Sequence, residues 1–175
     1  MKKRYIISLK VNSDSKKNEP LSLAAVIYDT EWGAGRIVSD YIPGAVDLSG
    51  NATKEDMESA MLSATARVYK KFADKTAVVI IHNPDQYSLA LESNLFTSML
   101  ENGLIDELPT LIDVGTLLLQ LDEETNSIDN YIKKNHLVID HPSSMTEILS
   151  QPPLFDAYAI LSVYLDLQKL ISTQN

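Results

Sequence analysis

The stretch AVVIIHNPDQY, residues 77–87, decides how the fold is predicted. Its first five residues, 77–81, form a continuous apolar run of strand length, which is typical of a strand covered on both faces. We therefore predict a central parallel strand here. Asn83 is expected to cap the helix that follows, because its side-chain oxygen can accept a hydrogen bond from a free helical N–H, and Asp85 favours the helix dipole. This helix is predicted over residues 85–102.

Three strands are predicted before this central strand, joined as a meander. They lie at residues 5–11, 21–28 and 36–42, where apolar runs and polar-apolar alternation are bounded by turn-forming residues. A long amphipathic helix is predicted to follow them. Thr53 with Asp56 resembles a capping box, and apolar residues then recur at helical spacing.

The remaining part of the chain completes an alternating pattern. Residues 110–121 contain a fifth apolar stretch, residues 127–134 a short helix, and residues 153–171 a long helix with a regular apolar face. The predicted order is βββαβαβα, apart from the small extra helix. The chain has 175 residues, of which 45% are apolar and 22% charged. We expect one α/β domain over residues 1–175, with a mixed five-stranded sheet and helices on both faces.

The composition restricts the chemistry and the partners. Because the chain has no cysteine, it can form no disulfide, no cysteine-ligated metal site and no thiol nucleophile. The net charge is -9, and counting the sequence gives 12 acids and 12 bases in residues 1–100 against 12 acids and 3 bases in residues 101–175. Nucleic-acid binding through phosphates usually requires clustered Lys and Arg. The charge therefore disfavours nucleic acid as a partner.

The hydropathy pattern predicts a protein without a membrane partner. No apolar run approaches the roughly 20 residues that a membrane span needs. The apolar stretch after the basic residues 1–4 is also too short for a signal peptide. We therefore expect a cytoplasmic location.

Two motifs resemble those of the DnaQ-like, or DEDDh, 3'-5' exonucleases of the ribonuclease-H-like superfamily. That family has His-Asn-x-x-Phe-Asp after its fourth strand, and residues 82–87 read HNPDQY, so that Tyr87 replaces a metal-binding Asp. The family's final helix opens with His-x-Ala-Leu-x-Asp-Ala, which corresponds to QPPLFDA at residues 151–157. Asp156 matches, whereas Gln151 replaces the general-base His. The resemblance implies the ribonuclease-H-like fold with a degenerate active site.

The family's first motif, Asp-x-Glu near the end of strand one, falls in one of two registers. In the first register, strand one is residues 6–10, and Ser8 and Lys10 stand at the carboxylate positions. This register keeps all three strands of the meander, and we favour it for that reason.

The second register places the motif in residues 26–33, where Asp29 and Glu31 resemble the family's Asp-Thr-Glu-Thr-x-Gly. Only residues 36–42 would then remain to form both strand two and strand three. Strands of about five residues each do not fit into that segment. In the first register Asp29 and its neighbours form a turn instead.

The chemistry of the family explains why these replacements matter. Its members hold two divalent ions about 4 Å apart, and hard ions such as Mg²⁺ or Mn²⁺ require carboxylate oxygens. Ser8 and Tyr87 are poor substitutes for carboxylates. Lys10 would repel a metal ion, and we expect its ammonium to occupy a vacant cation position, paired with Asp156.

Three functions follow from the resemblance and the residues. The first is a catalytically inactive exonuclease-fold protein, without a cofactor, that binds a protein partner in nucleic-acid metabolism. The alternative is an active 3'-5' exonuclease that uses Asp29, Glu31 and Asp156 with Mg²⁺ or Mn²⁺. The second alternative is a metal-free single-strand nucleic-acid binder that stacks bases on aromatic residues such as Trp32.

Overall fold

The computed structural model describes residues 4–14, 16–17, 19–31, 37–42, 53–72, 77–121, 127–139 and 152–173. These residues form an α/β structure with one mixed sheet and five helices. The strands are β1 Tyr5–Asp14, β2 Glu19–Asp29, β3 Ile37–Ile42, β4 Ala77–Ile81 and β5 Thr110–Asp113. The helices are α1 Lys54–Phe72, α2 Gln86–Glu101, α3 Val114–Leu119, α4 Ile128–Asn135 and α5 Pro152–Thr173.

The sheet has the strand order β3-β2-β1-β4-β5, with β1 in the middle. β1 pairs antiparallel to β2 and parallel to β4, and β5 extends the parallel side. Ser8 lies opposite Val26 of β2 and opposite Ile80 of β4. The meander and the parallel strand at residues 77–81 are therefore confirmed within a few residues, although β1 rather than β4 is the middle strand of the sheet.

Helices cover both faces of the sheet because side chains of a strand alternate between its faces. Ile6 and Ile80 pack in one core with α3, α4 and α5. Ile7 and Val79, one residue away in each strand, pack in a second core with α1 and α2. Ser8 and Lys10 lie on the α5 face, since they alternate with Ile7 and share the face of Ile6.

The structure also gives the relative position of the two residue pairs considered for the first motif, Ser8 with Lys10 and Asp29 with Glu31. Tyr5 pairs with Asp29 across the β1–β2 ladder, while Lys10 pairs with Ala24. The five-residue offset from Tyr5 to Lys10 corresponds to about 17 Å along the strand at roughly 3.3 Å per residue. Asp29 therefore lies at the opposite end of β1 from Lys10.

The capping of the helices agrees with the prediction at α1 and differs at α2. The Thr53 N–H donates to the Asp56 carboxylate at 2.9 Å, and the Asp56 N–H donates back to the Thr53 hydroxyl at 3.2 Å, which confirms the capping box. At α2 the predicted cap, Asn83, is wrong. Asp85 is the N-cap, and its carboxylate accepts a 2.8 Å hydrogen bond from the Ser88 N–H.

The apolar stretch of residues 110–121 forms two elements instead of one. Asp113 ends β5 and caps α3, because its carboxylate accepts hydrogen bonds from the Gly115 N–H and the Thr116 hydroxyl, both at 2.9 Å. None of the described helices is long and apolar enough to cross a membrane.

Candidate functional site

The polar groups of the core gather at the carboxyl end of β1 and β4. β4 ends at Ile81, opposite Leu9, whereas β1 continues to Asp14 and pairs there with β2 alone. In open α/β sheets, ligand sites form outside the carboxyl ends of the strands where the connections diverge. We call the side chains at this place the polar cluster; they are Lys10, His82, Asn83, Glu92, Asp113 and Asp156.

Lys10 supplies the positive charge of the polar cluster. Its side chain is only 5% exposed, and its Nζ donates a 3.1 Å hydrogen bond to the His82 carbonyl. The expected ion pair with Asp156 does not form, since it is not among the salt bridges of the described residues. The charge of Lys10 still favours the ionised form of Asp156 through space.

Asp156 lies half-buried just after the first turn of α5. Burial raises the pKa of its carboxyl, the charge of Lys10 opposes that rise, and Asp129 adds to it. Next to it, the Ser8 hydroxyl donates a 2.7 Å hydrogen bond to the Ala157 carbonyl. This hydrogen bond joins β1 to α5, and it occupies the Ser8 hydroxyl with a backbone contact.

Glu92 is a fully buried carboxyl that the sequence prediction missed. Its Oε1 accepts a 2.7 Å hydrogen bond from the Val11 N–H and a 3.0 Å hydrogen bond from the Asn83 amide. Its Oε2 has no hydrogen-bond partner in the described part of the chain. Burial raises the pKa of Glu92 to about 7, although both hydrogen bonds and the charge of Lys10 oppose the rise. The Val11 N–H is available because β4 stops at Ile81.

The position of Glu92 explains why Asn83 does not cap α2. The Asn83 amide donates to the Val11 carbonyl at 2.8 Å as well as to Glu92, and its Oδ1 accepts from the Asp85 N–H at 3.2 Å. Asn83 therefore lies in the core, where its amide joins β1 to α2. Asp85 takes over the cap and also accepts from the Ser13 hydroxyl at 3.1 Å.

His82 lies close to the start of α3. Its Nδ1 is 3.9 Å from the Asp113 carboxylate, and burial, followed by the charge of Lys10, lowers the pKa of the imidazole. A Cβ at Gly115 would lie 2.6 Å from the same nitrogen. The imidazole therefore approaches the α3 backbone at a distance that only glycine allows.

Tyr87 contacts α1 rather than the other members of the predicted site. Its hydroxyl lies 3.4 Å from the Glu58 carboxylate, and the Lys54 ammonium lies 5.3 Å from the centre of its ring. The ring and hydroxyl thus have their contacts on the neighbouring helix. No contact of Tyr87 with Asp156 occurs among the described hydrogen bonds.

Asp29 and Glu31 form a separate group at the other end of β1. Arg4 contacts both carboxylates, with nitrogen-oxygen distances of 3.2 Å to Asp29 and 3.3 Å to Glu31. The structure therefore does not bring this pair together with Asp156. His136 is exposed and ends α4 in a left-handed conformation.

Two residues named in the sequence analysis, Trp32 and Gln151, lie outside the described residues. Within the described residues there is no group of three or more His, Asp or Glu side chains placed to hold a metal ion. Comparisons of the chain with known protein families and with curated proteins found no match.

Proposed function

We propose that the chain is a ribonuclease-H-like protein, related to the DnaQ-type 3'-5' exonucleases, that has lost catalysis and acts by binding another protein in nucleic-acid metabolism. The element order and the mixed sheet with helices on both faces support the fold. The acidic second part of the chain supports a protein partner rather than nucleic acid.

The main support for the loss of catalysis is the position of Lys10. In the favoured register this residue stands where the family has a metal-binding carboxylate. Its ammonium is nearly buried and is held by the His82 carbonyl. A positive charge fixed among the remaining acids disfavours two further dications at separations of about 4 Å. Lys10 thus substitutes for a metal ion as the cation of the site.

The other replaced positions support the same conclusion. The Ser8 hydroxyl is bonded to the Ala157 carbonyl, and the Tyr87 hydroxyl lies next to Glu58. Neither supplies the negative charge that a hard divalent ion requires. Asp156 is then the one family carboxylate that remains at this end of the sheet among the described positions.

The positions of Asp29 and Glu31 count against the alternative of an active exonuclease. Asp29 and Glu31 lie at the start of β1, where both carboxylates contact Arg4. Asp156 is next to Ala157, which Ser8 contacts, and Ser8 is three residues, or roughly 10 Å at about 3.3 Å per residue, from the end of β1 where Asp29 pairs with Tyr5. We therefore favour the inactive reading over an exonuclease that uses these three residues.

Titration with Mn²⁺ tests this proposal directly, because the paramagnetic ion broadens the NMR signals of nearby nuclei. We expect no saturable broadening of the amide signals of Ser8, Lys10 and Asp156 at millimolar Mn²⁺. Saturable broadening at these amides, lost in Asp156→Asn but kept in the control Asp106→Asn, would contradict the proposal. Asp106 is a suitable control because it is exposed and lies outside the polar cluster.

A further inference from the structure

The outer edge of β5 is an edge of the sheet with no further strand among the described residues. β5 is the last strand in the order β3-β2-β1-β4-β5, and within the described residues it pairs with β4 alone. An edge strand presents backbone N–H and C=O groups that can pair with another strand. We call residues 108–113 the β5 edge.

Apolar side chains are concentrated at and next to this edge. Of the nine large hydrophobic residues described as exposed, four lie in residues 108–121. These are Leu108, Leu111, Leu119 and Leu121. Leu108 is 53% exposed and Leu111 is 37% exposed, so both lie open to solvent on the β5 edge itself. Solvent-exposed leucines beside an unpaired strand are typical of a surface that binds another chain.

The charge along the chain on both sides of β5 has one sign. Residues 76–132 contain ten Asp and Glu residues and no Lys or Arg. Asp106 and Glu107 are exposed shortly before the strand, and Glu101 is exposed at the end of α2. Such a field repels the phosphates of a nucleic acid and also repels a second copy of the same segment. It attracts a positively charged partner.

From the open strand, the exposed leucines and the one-sided charge we infer that the β5 edge binds an extended, basic segment of a partner protein. The segment adds a strand beside β5, its apolar side chains meet Leu108 and Leu111, and its Lys or Arg side chains meet the surrounding acids. This mode of recognition gives affinity through backbone hydrogen bonds and specificity through alternate side chains. The inference rests on the proposed function and names the surface and the chemistry of its partner.

A short fluorescein-labelled peptide of alternating Lys and Val tests the inference on the full chain. We expect the peptide to bind in fluorescence anisotropy and to shift the amide signals of residues 108–113. The double variant Leu108→Lys with Leu111→Lys should weaken binding by about tenfold or more, because it removes apolar contacts and adds repulsion. The same peptide with alternate N-methyl groups, which cannot complete a strand ladder, should bind comparably weakly.

A matched control separates this surface from general attraction to an acidic protein. Val138→Lys makes the same kind of change at an apolar residue that is 82% exposed elsewhere. It should change binding by no more than about twofold. The inference is overturned if Val138→Lys weakens binding as much as the double variant, if N-methylation has no effect, or if the peptide does not bind at millimolar concentration.

Different results would contradict the proposed function and the proposed binding edge. Metal-dependent nuclease activity together with peptide binding at residues 108–113 would remove the proposed function and leave the binding edge. Absence of both activities would remove the binding edge and leave the inactive fold.

Discussion

The ammonium of Lys10 donates a 3.1 Å hydrogen bond to the backbone carbonyl of His82. This contact joins the extended end of β1 to the segment that follows β4. It also fixes one positive charge inside the polar cluster, where that charge opposes protonation of His82 and favours the ionised forms of Glu92 and Asp156. The electrostatics of the site therefore depend on a lysine in the position where the family resemblance expects a carboxylate.

Replacing Lys10 with methionine should raise the pKa of His82. The charge of Lys10 is one cause of the lowered pKa of this imidazole, and the variant removes that repulsion while the attraction to Asp113 remains. NMR titration of the imidazole ring signals measures the change, and the ring signals of the exposed His136 serve as an internal reference. An unchanged or lower pKa of His82 in Lys10→Met would contradict the assigned role of Lys10.

Replacing Glu92 with glutamine should change how the free energy of unfolding depends on pH. The pKa of Glu92 is raised from 4.5 to about 7 in the folded chain, so the folded state holds a proton that the unfolded state releases. Its contribution to stability is therefore present below about 4.5 and is lost as the pH rises to about 7. The shift corresponds to a loss on the order of 3 kcal/mol.

Urea unfolding of both proteins across this pH range measures the effect. The free energy of unfolding of Glu92→Gln should increase relative to that of the unmodified chain as the pH rises. The difference should become constant above about pH 7. An unpartnered amide in the variant offsets the gain by about 1 kcal/mol at all pH values. Glu101→Gln, an exposed change on the same helix, is the control. Parallel pH profiles for the unmodified chain and Glu92→Gln would show that Glu92 is not the buried titrating group.

Asn83 and Asp85 should differ in their importance for folding. Asn83→Ala leaves the buried Val11 carbonyl without its side-chain donor and removes one of the two hydrogen bonds to Glu92, at a cost of about 2 kcal/mol. Asp85→Ala removes a partly buried helix cap and should destabilise the chain less. Urea unfolding at one pH compares them, with Asn94→Ala as an exposed control on the same helix. A larger effect of Asp85→Ala than of Asn83→Ala would contradict the proposed core role of Asn83.

The fold was predictable where a local pattern has one physical explanation. The uninterrupted apolar run of residues 77–81 fits a strand covered on both faces, and it forms β4. Thr53 and Asp56 satisfy each other within a single helical turn, so the start of α1 does not depend on tertiary contacts. Such features are determined by neighbouring residues alone.

The details of the site were less predictable because they depend on contacts between distant residues. Asn83 suits a helix cap by local rules, but Glu92 and Val11 take its amide into the core. Lys10 was expected to pair with Asp156, but its ammonium donates to the His82 carbonyl, and the ion pair is not among the salt bridges of the described residues. A backbone carbonyl has no signature in the sequence.

The sequence contains a pattern from which the burial of Glu92 could have been predicted. The buried positions of α2 are Ser88, Glu92, Leu95, Phe96 and Met99, which follow the helical period. An acid on the apolar face of a helix predicts a buried carboxyl that needs hydrogen-bond donors. The sequence does not show that the donors are the end of β1 and Asn83.

Degradation of end-labelled single-stranded DNA and RNA with Mg²⁺ or Mn²⁺ tests the central claim most directly. Reactions with EDTA and reactions with Asp156→Ala are run beside the unmodified chain. We expect no trimming above the EDTA reaction, because Lys10 holds a positive charge where the nuclease chemistry requires metal-bound carboxylates. Metal-dependent trimming from the 3' end that disappears in Asp156→Ala would contradict the account and establish an active exonuclease.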